Sequence, residues 1–224
     1  MYFSKIRLPF DLSSTYHRYK LEKDGFYAVH QLLWRLFEGN ENRQFLFRQE
    51  EMDGGIVFYC LSKDMPQNKT ENKLHLQTKL FCPKLNKGQK LYFNLRANPT
   101  VYITNADGRG QRHDVLMHAK YKAKEHSTNS AEIAMNMEQA AIAWLSDKKR
   151  LQRWGISLIN TPVVSAYRQQ SSLKKKSKQQ IRFSSVDYEG ILEINDPEIF
   201  LEQYFQGFGA AKSFGCGLML LKAA

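Results

Sequence analysis

Cysteine is scarce in this chain. The three present, Cys60, Cys82 and Cys216, lie far apart in apolar, strand-like settings. That excludes a disulfide framework and a paired-cysteine zinc site, and they read as reduced residues of the core. Acid is short as well: 22 Asp and Glu stand against 33 Lys and Arg, a formal charge of +11, which favours a polyanionic partner through counterion release. No uncharged apolar run is long enough to span a bilayer, so no membrane association is expected and the chain reads as soluble and cytoplasmic. Met1 to Arg7 carries charge where a secretory leader needs its apolar stretch, so no export is expected. The six histidines show no HExxH and no partner carboxylates at metal-ligand spacing, so neither a metal nor a cofactor is expected.

Core material is plentiful. Hydrophobic residues make up 42% of the 224 residues, enough for one large domain or two small ones. Leu74, Leu76, Thr78 and Leu80 alternate with polar neighbours, as do Leu91, Phe93 and Leu95, and alternation of period two marks half-buried strands. Further strands are expected at Tyr2 to Leu8, Gln44 to Glu50, Ile56 to Leu61, Ile156 to Ser165, Ile181 to Ile194 and Leu218 to Leu221. Helical spacing joins Phe26, Val29, Leu33, Leu36 and Phe37 behind a candidate cap at Asp24, and also Met137, Ala140, Ala141, Trp144 and Leu145. A third helix is expected over Pro197 to Gln206, with proline at its start and Gly207 past its end.

In order, these elements give an α+β protein of two tandem ferredoxin-like (RRM-like) βαββαβ domains, the first without a convincing second helix. The polar stretch Lys84 to Gln89 is the expected linker, dividing residues 1–88 from 89–224. Thr104 to Asn136 is too long for a tight connection and is expected to hold a mobile loop.

Six cations and no acid fall between Arg168 and Arg182: Arg168, Lys174, Lys175, Lys176, Lys178 and Arg182. Flanked by strand patterns, they read as a long basic hairpin. Like charge in an unbroken run repels itself unless a polyanion neutralises it, which favours a phosphate-contacting arm over a solvated loop. Arg109 to Lys124 is a second basic stretch, read as auxiliary.

Tyr27, His30 and Trp34 share one flank of the first helix, at the edge of its apolar face. Helix placement leaves His30 open between a packed structural residue and a proton carrier. With no metal constellation, chemistry here would run on histidine, tyrosine and cations, a set suited to cleavage of RNA by its own 2′-hydroxyl. Near the C-terminus, Gly207, Gly209, Gly215 and Gly217 stand in the spacing GxGxxxxxGxG, with Lys212 and Ser213 between them. Helix capping and strand-entry bends explain such glycines, and close approach to RNA phosphates is compatible with both.

That glycine run, at the end of a duplicated ferredoxin-like chain, resembles the signature of the CRISPR repeat endoribonucleases. The segment from Tyr27 to Trp34 resembles the first-helix catalytic segment of the CasE family, the endoribonuclease subunit of the type I-E Cascade complex, and Leu95-Arg96-Ala97-Asn98-Pro99 resembles the opening of its second domain. Met1 to Lys5, Ala143-Trp144-Leu145 and Glu189 to Leu192 extend the likeness nearly end to end. The resemblance implies metal-independent cleavage of the repeat hairpin of precursor CRISPR RNA, a retained product and assembly with other Cascade subunits, from a chain monomeric when isolated. Carried over by position, it makes His30 the principal catalytic residue, Tyr27 its helper and Arg35 a third member. It assigns RNA contact to the basic hairpin, to Arg96 and to the glycine-rich run. A non-cleaving hairpin-binding subunit is the competing expectation. An RRM-like single-strand binder ranks last, for the chain has no RNP string.

Overall fold

The computed structural model describes residues 1–9, 25, 27–37, 44–52, 55–67, 74–104, 107–173 and 180–224. In the first half, β1 (Tyr2–Pro9), helix α1 (residues 27–34), β2 (Phe45–Met52), β3 (Gly55–Ser62) and β4 (His75–Leu80) build an antiparallel sheet of order β2-β3-β1-β4. The second half contains β5 (Lys90–Ala97), the hairpin β6 (Thr100–Thr104) and β7 (Gly110–Asp114), and helices α2 (Val115–Lys124), α3 (Ser130–Leu145) and α4 (Lys148–Arg153). It continues with β8 (Ile156–Leu158), β9 (Val163–Leu173), β10 (Gln180–Ile194), α5 (Pro197–Gln206) and β11 (Met219–Ala223). Its sheet runs β11-β5-β10-β8, with β9 also paired to β10. β1 and β3 are central in the first sheet and β5 and β10 in the second, the ferredoxin-like order.

Both cores follow from the alternation. Ile6 and Leu8 of β1, Phe45 and Phe47 of β2 and Phe58 and Cys60 of β3 meet Val29 and Leu33 of α1 and Leu36 in the turn after it, all buried. In the second sheet Leu91, Phe93, Leu95 and Ala97 of β5 face Trp144 and Leu145 of α3 and Phe200 and Tyr204 of α5. The buried Tyr188 and Tyr204 hydroxyls donate to the carbonyls of Ala141 (3.1 Å) and Met219 (2.9 Å). Burial holds both phenols well above their usual range. Helix α5 is capped as its sequence demands: the Asp196 carboxylate accepts from the N–H groups of Glu198 and Ile199, and Pro197 occupies the first turn.

Four expectations need correction. Most of 104–136 is regular structure, not a mobile loop: β7 and α2 fill its middle, and α3 begins at Ser130, seven residues before Met137. These elements escape a hydrophobic-period search because β7 reads Gly-Gln-Arg-His-Asp and α2 buries only Leu116. Their ends are set by caps, with Asp114 accepting from Met117 N–H (2.9 Å) and Asn129 from Ala131 N–H (3.0 Å). The strand expected over Ile156 to Ser165 divides at Pro162. There the Asn160 side chain accepts the Ile191 N–H (2.9 Å) in place of a neighbouring strand. Leu80, expected to be half-buried, is 67% exposed at the end of edge strand β4. Cys82 is exposed, and only Cys60 and Cys216 are core cysteines. Asp24 and Phe26 fall outside the described residues.

Gly217 has φ +91°, and a Cβ there would sit 2.9 Å from the Phe208 carbonyl oxygen. Gly217→Ala therefore combines left-handed strain with a backbone clash, and is expected to destabilise the protein by about 2 kcal/mol. An unchanged denaturation midpoint would mean that the loop relaxes freely.

Candidate active site

Helix α1 carries His30 at the border of its buried face. The imidazole stacks on Phe45 of β2 (centroids 5.9 Å apart, planes 28° apart) and lies 5.3 Å from the Trp34 ring. Its Nε2 is screened from solvent. One turn earlier, the Tyr27 hydroxyl accepts a hydrogen bond from the Gln31 amide (3.0 Å), which orients the phenol along the helix surface. Arg35 is exposed in the turn that ends the helix, its N–H donating to the Gln31 carbonyl (3.3 Å). At 100° per residue, helical geometry puts it about 140° round from His30.

The glycine-rich run closes over the same strand. A Cβ on Gly207 would lie 2.8 Å from Leu46, and one on Gly215 3.2 Å from Phe47. Gly207, Gly215 and Gly217 are buried: the missing side chains at Gly207 and Gly215 make room for β2, and that at Gly217 makes room for the Phe208 backbone and Lys212. Gly209 is exposed, and Lys212 and Ser213 form a short 3₁₀ turn on the outer side of the loop. The loop is tied to β5 through Gly217 N–H to the Arg96 carbonyl (2.8 Å) and an Asn98–Ala210 bridge.

Arg96 is engaged within the protein. Its guanidinium makes a bidentate pair with Asp187 on β10 (2.7 and 2.8 Å), donates to the Gln49 carbonyl on β2 (2.7 Å) and lies 3.6 Å from Glu50. Burial works against the charge, but Asp187 and Glu50 outweigh it and the guanidinium pKa is raised. From the other sheet, buried Arg48 pairs with Glu50 and donates to the Asn94 carbonyl (3.1 Å). These two arginines join the sheets beneath the loop. Asp187→Ala would leave the Arg96 charge without its main partner, and a loss of about 3 kcal/mol in chemical denaturation is expected. A loss below about 1 kcal/mol would place the join elsewhere.

Beside the loop, β9 and β10 form the basic hairpin. Lys174, Lys175, Lys176 and Lys178 fall outside the described residues. Arg168 pairs across from Ser185 and Arg182 from Ser171. The strand alternation sends these exposed arginines to opposite faces of the hairpin. Arg168 shares a cleft of about 430 Å³ with Arg96, Phe183 and Phe214. Several of these neighbours had no sequence signal: Arg48 sits in an unremarkable strand, and Phe183 and Phe214 meet (rings 5.1 Å apart) only because the loop folds back.

Two ferredoxin-like sheets, a histidine-bearing helix, a glycine-rich loop and a basic hairpin make up a duplicated ferredoxin-like protein with a formal charge of +11. A family model described as "CRISPR associated protein" matches residues 1–223. CasE, a subunit of the Cascade CRISPR system in Escherichia coli K12, is 31% identical over 199 residues, spanning 87% of this chain and 90% of that protein. The chain belongs to this family of CRISPR-associated proteins. Its fold superposes on the CRISPR endoribonuclease Cse3 bound to a 19-nucleotide RNA, with a TM-score of 0.70, 25% identity and coverage of 99% and 100%. It also superposes on Cas6e from Escherichia coli K-12, with a TM-score of 0.60, 27% identity and full coverage of both chains.

Proposed function

We propose that the chain is the endoribonuclease that cuts the repeat hairpin of precursor CRISPR RNA, keeps the cut hairpin and carries it into a Cascade complex in the cytoplasm. Residues 1–88 form the catalytic domain, and residues 89–224 form the domain that bears the hairpin and loop. The observation that carries this reading is the convergence on β2. His30 rests on Phe45, the Phe47 ring lies 6.3 Å further along, and the glycine-rich loop crosses directly over Phe47. A proton carrier and the loop that offers Gly209, Lys212 and Ser213 to the RNA thus share one strand.

In the reaction, the 2′-oxygen bonds to phosphorus as the bond from phosphorus to the 5′-oxygen breaks. The 2′-proton passes to a base and the departing 5′-oxygen takes a proton. The upstream fragment ends in a 2′,3′-cyclic phosphate. His30 carries one of these protons, near neutral pH the natural task of an imidazole. Tyr27 assists from the same flank, and Arg35 is a cation at the rim. No step requires a metal.

Purified protein mixed with repeat hairpin RNA tests the proposal. A cut that leaves a cyclic phosphate, with the hairpin fragment still bound, is the expected outcome. Tight binding without a cut would make the chain a structural hairpin binder. Replacing Lys174, Lys175 and Lys176 together should weaken hairpin binding and lower the slope of log affinity against log salt by up to about three. An unchanged slope would reduce the run to a solvated loop.

A further inference from the structure

Along residues 209–214 of the glycine-rich loop lies a second cavity, of about 690 Å³, that the cleavage reaction does not use. Arg112, Arg150, Arg153 and Lys212 line it, no carboxylate among the described residues does, and Trp144 forms part of its wall. Arg150 is the informative member. Its guanidinium lies 4.3 Å over the Trp144 ring, and its Nη1 is shielded from solvent with no hydrogen-bond partner among the described residues. Its local acid, Asp147, turns its carboxylate to the Arg150 backbone N–H (2.8 Å) as the cap of α4. Arg112 donates to the Tyr102 hydroxyl (2.8 Å). Burial lowers the Arg150 pKa, Asp147 opposes this and Arg153 adds to it. A desolvated donor among like charges is costly unless an anion completes it.

The neighbourhood identifies the anion. Phe214 lines both this cavity and the cleft that holds Arg168 at the root of the basic hairpin. Phe183 and Phe214 form an aromatic step between the two. A strand leaving the base of an RNA stem at Arg168 would cross rings on which a base can stack, and its next phosphates would enter a cavity of four cations. Alternating aromatic platform and cationic pocket is how proteins hold single-stranded RNA.

We infer that this cavity, lined by Arg112, Arg150, Arg153 and Lys212, is a phosphodiester site for the single-stranded RNA flanking the hairpin, separate from the cleavage site at His30. The inference rests on the hairpin-binding reading above.

The test measures affinity against salt concentration for a bare hairpin, a hairpin with single-stranded flanks and a short unstructured oligonucleotide. Wild type is compared with Arg150→Gln, Arg153→Gln and the double variant, with thermal unfolding followed on each preparation. Glutamine keeps bulk against Trp144, and Arg153→Gln leaves the cation–π contact intact, so a folding defect in one variant does not hide the result. The flanked hairpin should lose about one in salt slope per phosphate contact removed, the oligonucleotide should lose affinity, and the bare hairpin should be unchanged. Equal losses on bare and flanked hairpins, or none on either, would overturn the inference. So would competition by inorganic phosphate with no effect of the flank, which marks a free-phosphate site. Failure of the wild type to bind the bare hairpin would refute the hairpin reading alone, and the oligonucleotide arm would still decide whether the cavity takes RNA.

Discussion

Replacing His30 with alanine is expected to slow repeat cleavage by about 10²- to 10⁴-fold, the usual contribution of one positioned proton carrier, while affinity for the hairpin stays close to that of wild type. The separation follows from the layout. Binding rests on the hairpin arm and the outer surface of the loop, whereas the imidazole lies on α1 against Phe45 and Trp34. Alanine also removes a ring from the edge of the Phe45, Phe37 and Phe47 cluster, and a packing defect could imitate loss of catalysis. His30→Gln keeps more of the volume and cannot act as an imidazole base, so it should be as slow as the alanine variant with a smaller drop in unfolding temperature. Tyr27→Phe should cost less than either, for it deletes the hydroxyl bonded to Gln31 and keeps the ring. A folded His30 variant that binds the hairpin and cuts at the wild-type rate would make this histidine a packed edge residue only.

The parts of the fold legible in the sequence are those written in hydrophobic period. The alternation in β5 placed Leu91, Phe93 and Leu95 inside, and the proline and glycine around α5 gave its ends as observed. The hidden parts are held by other means. Strand β7 has no apolar residue, and α2 and the first turns of α3 are announced mainly by the caps Asp114 and Asn129. At the site, the shared flank of Tyr27 and His30 followed from helical spacing, but the partner of His30 did not: Phe45 lies across a sheet. Arg96 shows the limit most clearly. An arginine in a family-like segment reads as a phosphate contact, while Asp187, 91 residues later, claims it in a bidentate pair. Cross-sheet ion pairs have no local period, so neither Arg96 nor the Arg150 cavity could be read before the strands were in register.

A repeat hairpin with a single 2′-deoxy nucleotide just upstream of the scissile phosphate should resist cleavage completely, in EDTA and without it, although the protein binds it as well as the natural RNA. The missing oxygen is the proposed nucleophile, and no rearrangement of protein groups replaces it. Rates for the natural and deoxy hairpins, with and without chelator, test the mechanism most directly. The expected result is full activity on the natural RNA in EDTA and none on the deoxy substrate under either condition. Cleavage of the deoxy hairpin, or activity on the natural RNA that disappears in EDTA and returns with Mg²⁺, would contradict 2′-hydroxyl attack supported by His30.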